Sequence, residues 1–138
     1  MDMVVTFPGG ARVNAEYKGF TIETDQSETG GGGGSAPAPF DLFLASIATC
    51  AGYYVMSFCQ GRYIPTDDIR VIMKSEWNRE AHLISTITID IHLPADFPEK
   101  YKKAVVASAD KCSVKRHILN EPEFKINALI GEPELIAE

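Results

Sequence analysis

The amino-acid sequence predicts an α+β protein in which antiparallel sheets wrap around a central apolar helix. Three observations lead to this prediction. The chain opens with three short β-prone stretches, continues with a long uncharged apolar segment, and then returns to β-prone and helical stretches. Strands that are grouped apart from helices, rather than alternating with them, are typical of the α+β class.

The first three strands are predicted at Met3 to Phe7, Ala11 to Tyr17 and Phe20 to Thr24. Glycines and a proline separate these stretches, and such residues mark turns. In the second stretch polar and apolar residues alternate, which is the period of a half-buried strand. These features predict an antiparallel meander.

The loop from Asp25 to Ala38 contains five consecutive glycines, Gly30 to Gly34. It is not a phosphate-binding loop, because no Gly-Lys-Ser/Thr motif closes it. A flexible connector is the simpler interpretation. A mobile flap beside a functional site is the alternative, and the sequence leaves the role of this loop open.

The longest helix is predicted from Pro39 to about Gly61. Proline suits the first turn of a helix, and Asp41 places a negative charge near the positive end of the helix dipole. No further charge occurs before Arg62. A helix that is apolar on every side and flanked by polar loops is expected in a protein core.

The second half of the chain contains two longer strands, two helices and a last strand. They are predicted at Asp68 to Trp77, His82 to Leu93, Pro98 to about Lys111, Cys112 to Leu119 and Phe124 to Leu129. Strict alternation in the second of these strands, with turn residues before it, predicts a hairpin. The order βββ-α-ββ-αα-β fits a single domain over residues 1–138.

Charge and hydropathy exclude several classes of protein. The net charge of -6 argues against a general nucleic-acid binder, which needs excess Lys and Arg to replace phosphate counterions. We count no apolar run of the roughly 18 to 20 residues that cross a bilayer. The N-terminus lacks the basic and apolar regions of a secretory signal. A cytoplasmic protein without a membrane partner is therefore expected.

The cysteines suggest redox chemistry rather than disulfide staples or metal binding. Their number, three, is odd and they lie far apart, unlike a secreted disulfide framework. No Cys-x-x-Cys or His-x-x-x-His spacing occurs, so no metal site is expected. We also expect no bound cofactor.

Cys50 lies in the middle of the long helix, where a lone cysteine is most often a small apolar core residue. Cys59 follows nine residues later, half a turn out of phase and about 13 Å away along the helix axis. The two sulfurs are too far apart for a disulfide within one straight helix. Cys59 is therefore expected to be structural.

Cys112 stands where two predicted helices meet, within the basic segment 111–117 (Lys-Cys-Ser-Val-Lys-Arg-His). Positive neighbours and a helix N-terminus favour a thiolate, the form that reacts with peroxides and disulfides. A buried cysteine beside a solvated basic stretch is an equally open alternative. If Cys50 and Cys112 meet in the fold, they form a peroxidatic and resolving pair.

Two motifs and the order of elements together resemble the OsmC/Ohr family of osmotically inducible and organic hydroperoxide resistance proteins. Residues 39–50 (Pro-Phe-Asp-Leu-Phe-Leu-Ala-Ser-Ile-Ala-Thr-Cys) resemble the core-helix motif Pro-x-Glu-Leu-Leu-x-Ala-x-x-x-x-Cys. Segment 111–117 is similar to the second cysteine motif of that family, often Cys-Pro-Val-Ser-Lys/Arg. The resemblance covers nearly the whole chain.

The resemblance implies an intertwined homodimer with two active sites at the subunit interface. Cys50 would attack an organic hydroperoxide and become a sulfenic acid, which Cys112 would resolve as a disulfide. A dithiol such as a lipoyl group would then reduce that disulfide. The charges near Cys112 alone would suggest the reverse roles, and we assign the roles by the motif.

Departures from the motifs bear on the candidate catalytic residues. The hydroperoxide-resistance branch has Glu after the motif proline, where this chain has Phe40. Asp41 matches the acid of the less characterised OsmC-related branch, and it is either catalytic or only a helix-dipole charge. Catalytic members hold the first thiolate with an N-terminal arginine, for which Arg12 is the candidate. Ser113 replaces the usual proline, a change that we expect to matter less.

The predicted function is that of a thiol-dependent redox protein, a cysteine-based peroxidase that reduces organic hydroperoxides. A non-catalytic dimer that binds a small apolar ligand in the interfacial pocket is the alternative from another class. Thiol–disulfide exchange with protein partners is a third interpretation. The sequence leaves open the physiological oxidant and reductant, and whether the missing Glu at Phe40 abolishes turnover.

Overall fold

The structure is a computed structural model that describes residues 2–135. Its internal contacts group the chain into two compact units. The first unit contains the described residues up to Phe43 and from Glu123 onward, and the second spans Leu44–Pro122. Each unit is described by itself. The single domain over residues 1–138 stays a prediction.

The first unit contains an antiparallel sheet of three strands in the order β1-β2-β3. The strands are β1 (Val4–Gly9), β2 (Arg12–Tyr17) and β3 (Phe20–Thr24). Lys18 and Gly19 both have positive φ, 49° and 77°, and they form the two-residue turn that matches the twist of a hairpin. The predicted meander is confirmed.

The predicted last strand, Phe124 to Leu129, is wrong for the single chain. Residues 121–130 form no regular secondary structure. A strand exists only where a neighbouring strand accepts and donates its backbone hydrogen bonds. The described residues supply no such neighbour here, and Phe124 and Ile126 are 82% and 95% exposed.

Helix α1 (Pro39–Gln60) begins as the sequence predicts. Asp41 lies in its first turn, and its Oδ2 accepts a hydrogen bond of 3.0 Å from the backbone N–H of Ala38. This contact is the backward half of a capping box. At the other end of the helix, Arg62 Nη1 donates to the Phe58 carbonyl at 3.0 Å.

Helix α1 buries one face, with these residues: Ile47, Ala51, Val55, Phe58 and Cys59. Tyr53 and Met56 remain 57% and 36% exposed, and Phe40 is 51% exposed. A central helix that is buried on every side is therefore not confirmed in the single chain.

The expectation that no apolar run is long enough for a bilayer was wrong by length and composition. Within the described residues one helix qualifies: α1 has 22 residues, and an 18-residue stretch of it has a mean hydropathy of 1.6. Core helices of globular proteins pass the same test, and Val55 and Cys59 of α1 pack in an apolar core. The cytoplasmic location stays a prediction.

The second unit contains an antiparallel ribbon of β4 (Arg70–Asn78) and β5 (Leu83–His92). Asn78 closes the connecting turn, because its Oδ1 accepts from the backbone N–H of Glu80 and Ala81, each at 3.0 Å. The predicted hairpin is therefore confirmed.

The predicted helix from Pro98 onward is divided. A 3₁₀ turn at Glu99–Tyr101 leads into α2 (Lys102–Ala109), and α3 (Ser113–Leu119) follows. Ser108 Oγ of α2 donates to the Tyr54 carbonyl of α1 at 3.0 Å, which ties the two helices together near Cys50.

The apolar core of the second unit is one cluster of these buried residues: Val55, Phe58, Cys59, Ile69, Phe97 and Val105. Tyr101 packs edge-on against Phe58, with ring centroids 5.8 Å apart. This core fixes α1 against the residues that lead into α2 and α3, so it sets the position of any group carried by those helices.

Candidate functional site

The second unit brings Cys50 and Cys112 together. Cys50 is half-buried on α1, and Cys112 is 2% exposed at the residue before α3. Their side chains share a hydrogen bond, and both thiols are free. The residue pattern alone names both cysteines as candidates without indicating that they meet, and only the family resemblance implies their contact.

Hydrogen-bond donors surround the sulfur of Cys50. The Ser113 hydroxyl lies 3.6 Å from it, and the backbone N–H groups of Val114 and Ser113 and the Cys112 thiol also point at it. Burial alone would raise the pKa of Cys50, but these donors outweigh burial and lower the pKa to about 7. Donors that stabilise a thiolate act in this direction.

Cys112 behaves in the opposite way. Burial raises the pKa of its thiol, and the neighbouring Cys50 raises it further, against the opposing effect of the Lys115 N–H. That N–H donates to Cys112 Sγ at 3.4 Å, so the sulfur also caps α3. Near neutral pH, Cys50 is therefore partly a thiolate while Cys112 stays a thiol.

The expectation that basic neighbours favour a thiolate at Cys112 is wrong. The amine of Lys115 is paired with the Asp110 carboxylate rather than with the sulfur. His117 Nδ1 lies 2.7 Å from the Ser113 carbonyl oxygen, so its ring contacts the α3 backbone. Nearness in sequence does not bring these charges to the sulfur, and burial determines its titration.

Cys59 is fully buried in the core of the second unit, as expected of a structural cysteine. Burial raises the pKa of its thiol, although the charge of Arg62 opposes that rise. The Arg62 guanidinium stacks over the Phe58 ring, 3.7 Å from its centroid. A buried, protonated thiol is unreactive.

The other two candidate catalytic residues lie in the first unit. Asp41 caps α1 through Ala38, as described above. Arg12 extends its guanidinium toward the carbonyl oxygens of Pro8 and Gly9 in the β1–β2 turn, at 3.4 Å each. The catalytic roles of Arg12 and Asp41 stay predictions.

Sequence reasoning missed Asp25, a buried carboxylate that organises the glycine-rich loop. Its Oδ2 accepts hydrogen bonds from the Ser35 hydroxyl at 2.6 Å and from the Ser35 and Gly33 backbones, and Oδ1 accepts from Gln26 N–H. These bonds, the Ser35 hydroxyl first, lower the pKa of Asp25 to about 2. The loop is closed around this carboxylate and is not a structureless connector.

An apolar cavity of about 350 Å³ lies beside Cys112 in the second unit. Ile47 of α1 and Ile89 and Ile91 of β5 line it, together with α2, and Lys103 stands among its polar groups. Its volume and apolar lining are in the range of small-molecule sites. Across residues 2–135, no group of three or more His, Cys, Asp or Glu side chains is placed to hold a metal ion.

Comparisons with known proteins agree with this fold. The sequence model described as OsmC-like protein matches residues 31–127. No curated protein matches the sequence. Among solved structures, a protein from Psychrobacter arcticus 273-4 that is described as an osmotic stress induced and detoxification response protein superposes with a TM-score of 0.69 and 22% identity, covering 83% of this chain and 85% of that chain.

Two further structures have the same fold. The OsmC-like protein of Mycoplasma pneumoniae has a TM-score of 0.66 and 12% identity, with 87% of each chain covered. The organic hydroperoxide resistance protein OsmC of Legionella pneumophila, also described as a predicted redox protein, has a TM-score of 0.51 and 18% identity, covering 86% of this chain and 89% of that one.

These findings define an α+β protein with small antiparallel sheets, helices and two adjacent cysteines. Since the family match extends over more than half of the chain, the protein belongs to the OsmC-like family.

Proposed function

We propose that this protein is a thiol-dependent redox enzyme that reduces organic hydroperoxides through Cys50 and Cys112. The observation that carries this proposal is the hydrogen bond between the two cysteine side chains, in which the pKa of Cys50 is lowered to about 7 and that of Cys112 is raised. A peroxidatic cysteine must be a thiolate to attack, and a resolving cysteine must lie within reach of it.

The proposed reaction has three steps. The Cys50 thiolate attacks one peroxide oxygen, so that an S–O bond forms, the O–O bond breaks, and the leaving alkoxide takes a proton to become an alcohol. Cys50 is then a sulfenic acid. The Cys112 sulfur loses its proton, attacks the Cys50 sulfur and releases water, which leaves a disulfide. A dithiol reductant, such as a lipoyl group, returns two electrons and becomes a disulfide itself.

The cavity beside Cys112 supports an organic rather than an inorganic peroxide. The apolar wall that includes Ile47, Ile89 and Ile91 would stabilise a bound alkyl group by burying its apolar surface. Hydrogen peroxide has no alkyl group and would gain no such stabilisation. As the family resemblance implies, Arg12 is proposed to hold the Cys50 thiolate and Asp41 to support the site.

The active form is proposed to be a cytoplasmic homodimer. Large apolar side chains exposed in the single chain support an assembly, because such side chains mark contact surfaces. Phe124 and Ile126 after the last helix and Tyr53 on α1 are between 57% and 95% exposed. Sedimentation of the wild type and of Ile126→Asp tests this: a dimer that dissociates in the variant is expected, and a wild-type monomer would contradict it.

Mass spectrometry of the reduced protein tests the enzymatic proposal. Brief exposure to a small excess of an organic hydroperoxide is expected to give a Cys50–Cys112 disulfide faster than the same dose of hydrogen peroxide. Cys50→Ser should abolish that disulfide, whereas Cys59→Ala, the matched control at a buried thiol, should retain it. If both thiols stay reduced while the protein remains folded, the proposal fails.

The apolar cavity also favours a second candidate, a dimer that binds a small apolar ligand without chemistry. In that case, a long-chain alcohol used as a probe would raise the melting temperature, and the rise would survive replacement of both Cys50 and Cys112 by serine. A peroxide-dependent disulfide in the wild type would decide for the enzyme.

A further inference from the structure

Ser113 places two hydrogen-bond donors at the sulfur of Cys50. Its hydroxyl oxygen lies 3.6 Å from Cys50 Sγ, and its backbone N–H points at the same sulfur. As the first residue of α3, Ser113 has no carbonyl of its own helix to bond with, so this N–H is available. The related motif often has proline at this position, and a proline supplies neither an N–H nor a hydroxyl.

The backbone at this point would accept a proline. Cys112 has φ -47° and ψ 118°, and this ψ lies close to the extended values that a residue before proline adopts. The first position of a helix is also where proline fits best. The fold therefore does not require serine at position 113. The hydroxyl and N–H of Ser113 are hydrogen-bond donors to Cys50 that a proline would not supply.

We propose that Ser113 is a positioning residue that holds the Cys50 sulfur as a thiolate through two donors that proline would lack. This inference deepens the proposed function and rests on it, since it concerns the thiol that attacks the peroxide. It reverses our expectation that the exchange of proline for serine matters less.

Few titratable groups of the second unit lie where they could change the pKa of Cys50. Cys112 faces Cys50 directly and donates its own thiol proton. On α3, the Lys115 amine binds Asp110, and His117 contacts the Ser113 carbonyl rather than the sulfur. The hydrogen bonds that lower the pKa of Cys50 come, largest first, from the Val114 N–H, the Cys112 thiol, and the hydroxyl and N–H of Ser113, and no charged side chain is among them.

The test is the pH dependence of Cys50 alkylation by iodoacetamide in the reduced protein, followed by mass spectrometry of the Cys50 peptide. The wild type should reach half its maximal rate at about pH 7. Ser113→Ala removes the hydroxyl alone and should raise the midpoint by roughly one unit, the worth of one hydrogen bond to a charged group. Ser113→Pro removes both donors and should raise the midpoint further than Ser113→Ala does, while the Val114 N–H and the Cys112 thiol keep it below the ordinary value of 9.0.

Two further variants separate this role from a structural one. Ser113→Thr retains the hydroxyl and the N–H and should restore the wild-type midpoint. Ser108→Ala removes the serine hydroxyl that ties α2 to α1 without touching Cys50, and it should leave the midpoint unchanged.

An unchanged midpoint in a folded Ser113→Pro protein would overturn the inference, and so would a shift of equal size in Ser108→Ala. A midpoint that moves in Ser113→Pro but not in Ser113→Ala would overturn the role of the hydroxyl. Alkylation requires no peroxide, so these outcomes remain distinct from a failure of the proposed peroxidase activity.

Discussion

Different interactions stabilise the interior of each of the two units. In the described residues, every buried hydrophobic side chain belongs to the second unit, where Val105 and Cys59 are fully enclosed. The buried residues of the first unit are polar, Thr24 and Asp25, while Phe7 and Phe20 are 80% and 70% exposed. An apolar core can fix two sulfurs relative to each other, and a buried carboxylate can order a loop that has almost no side chains.

Of the substitutions that test this contrast, Phe97→Ala should change the free energy of unfolding most. Phe97 is 5% exposed in the core, and its truncation should lower the free energy of unfolding by about 3–5 kcal/mol. Phe7→Ala is the matched control in the first unit and should change the free energy by less than about 0.5 kcal/mol. Chemical denaturation at a concentration where the protein is monomeric measures both. Equal losses would contradict the contrast between the units.

Asp25→Asn tests the polar organisation of the first unit. Because the folded-state pKa of Asp25 is lowered to about 2, from an ordinary value of 3.8, its contribution to stability is present above pH 4. That contribution is lost as pH falls through about 2. The variant should melt earlier at neutral pH and lose less stability on acidification. Asp90→Asn, which removes an exposed ion pair with Lys74, should change little. Identical acid profiles for the wild type and Asp25→Asn would refute this role.

Gly32→Ala tests how closely the glycine-rich loop packs around Asp25. A methyl group at Gly32 would overlap the Gln26 carbonyl oxygen and the Asp25 carboxylate. Moving backbone to relieve such overlap should lower the free energy of unfolding by about 1–3 kcal/mol. At Gly33 the added carbon would lie 3.4 Å from Asp25 Oδ2, so Gly33→Ala is the tolerated control. If the thermal melts of Gly32→Ala and Gly33→Ala coincide, the loop does not pack closely against Asp25 at Gly32.

The pH dependence of peroxide reduction tests the lowered pKa of Cys50 in the second unit. With a Cys50 pKa of about 7, the thiolate fraction rises through neutral pH. The initial rate should increase about tenfold between pH 6 and pH 8 and then level off. Stopped-flow measurement of disulfide formation gives this profile. A flat profile over the same range would place the pKa of Cys50 elsewhere.

Most elements could be predicted because their patterns are local. Alternation located β2 and β5, the uncharged run located α1, and glycines located the turns. The strand predicted at Phe124 to Leu129 by the same means is wrong for the single chain, because a strand depends on a neighbour that the pattern does not contain.

The site was predictable only in part. Cys50 and Cys112 could be named from their motifs, but their contact depends on how α1 packs against the residues that lead into α3. The titration of Cys112 was misjudged, because burial raises the pKa of its thiol and the amine of Lys115 is paired with the Asp110 carboxylate. Asp25 gave one weak signal, an acid ten residues before a serine across a run of glycines.

The sulfur of Cys112 has a second use as the cap of α3, since it accepts the Lys115 N–H. A disulfide with Cys50 would draw that sulfur into a covalent bond and weaken its ability to accept. The first turn of α3 would then fray in the oxidised protein, and the Lys115 amide would exchange its hydrogen with solvent faster. One backbone amide would therefore report the redox state of the cysteine pair.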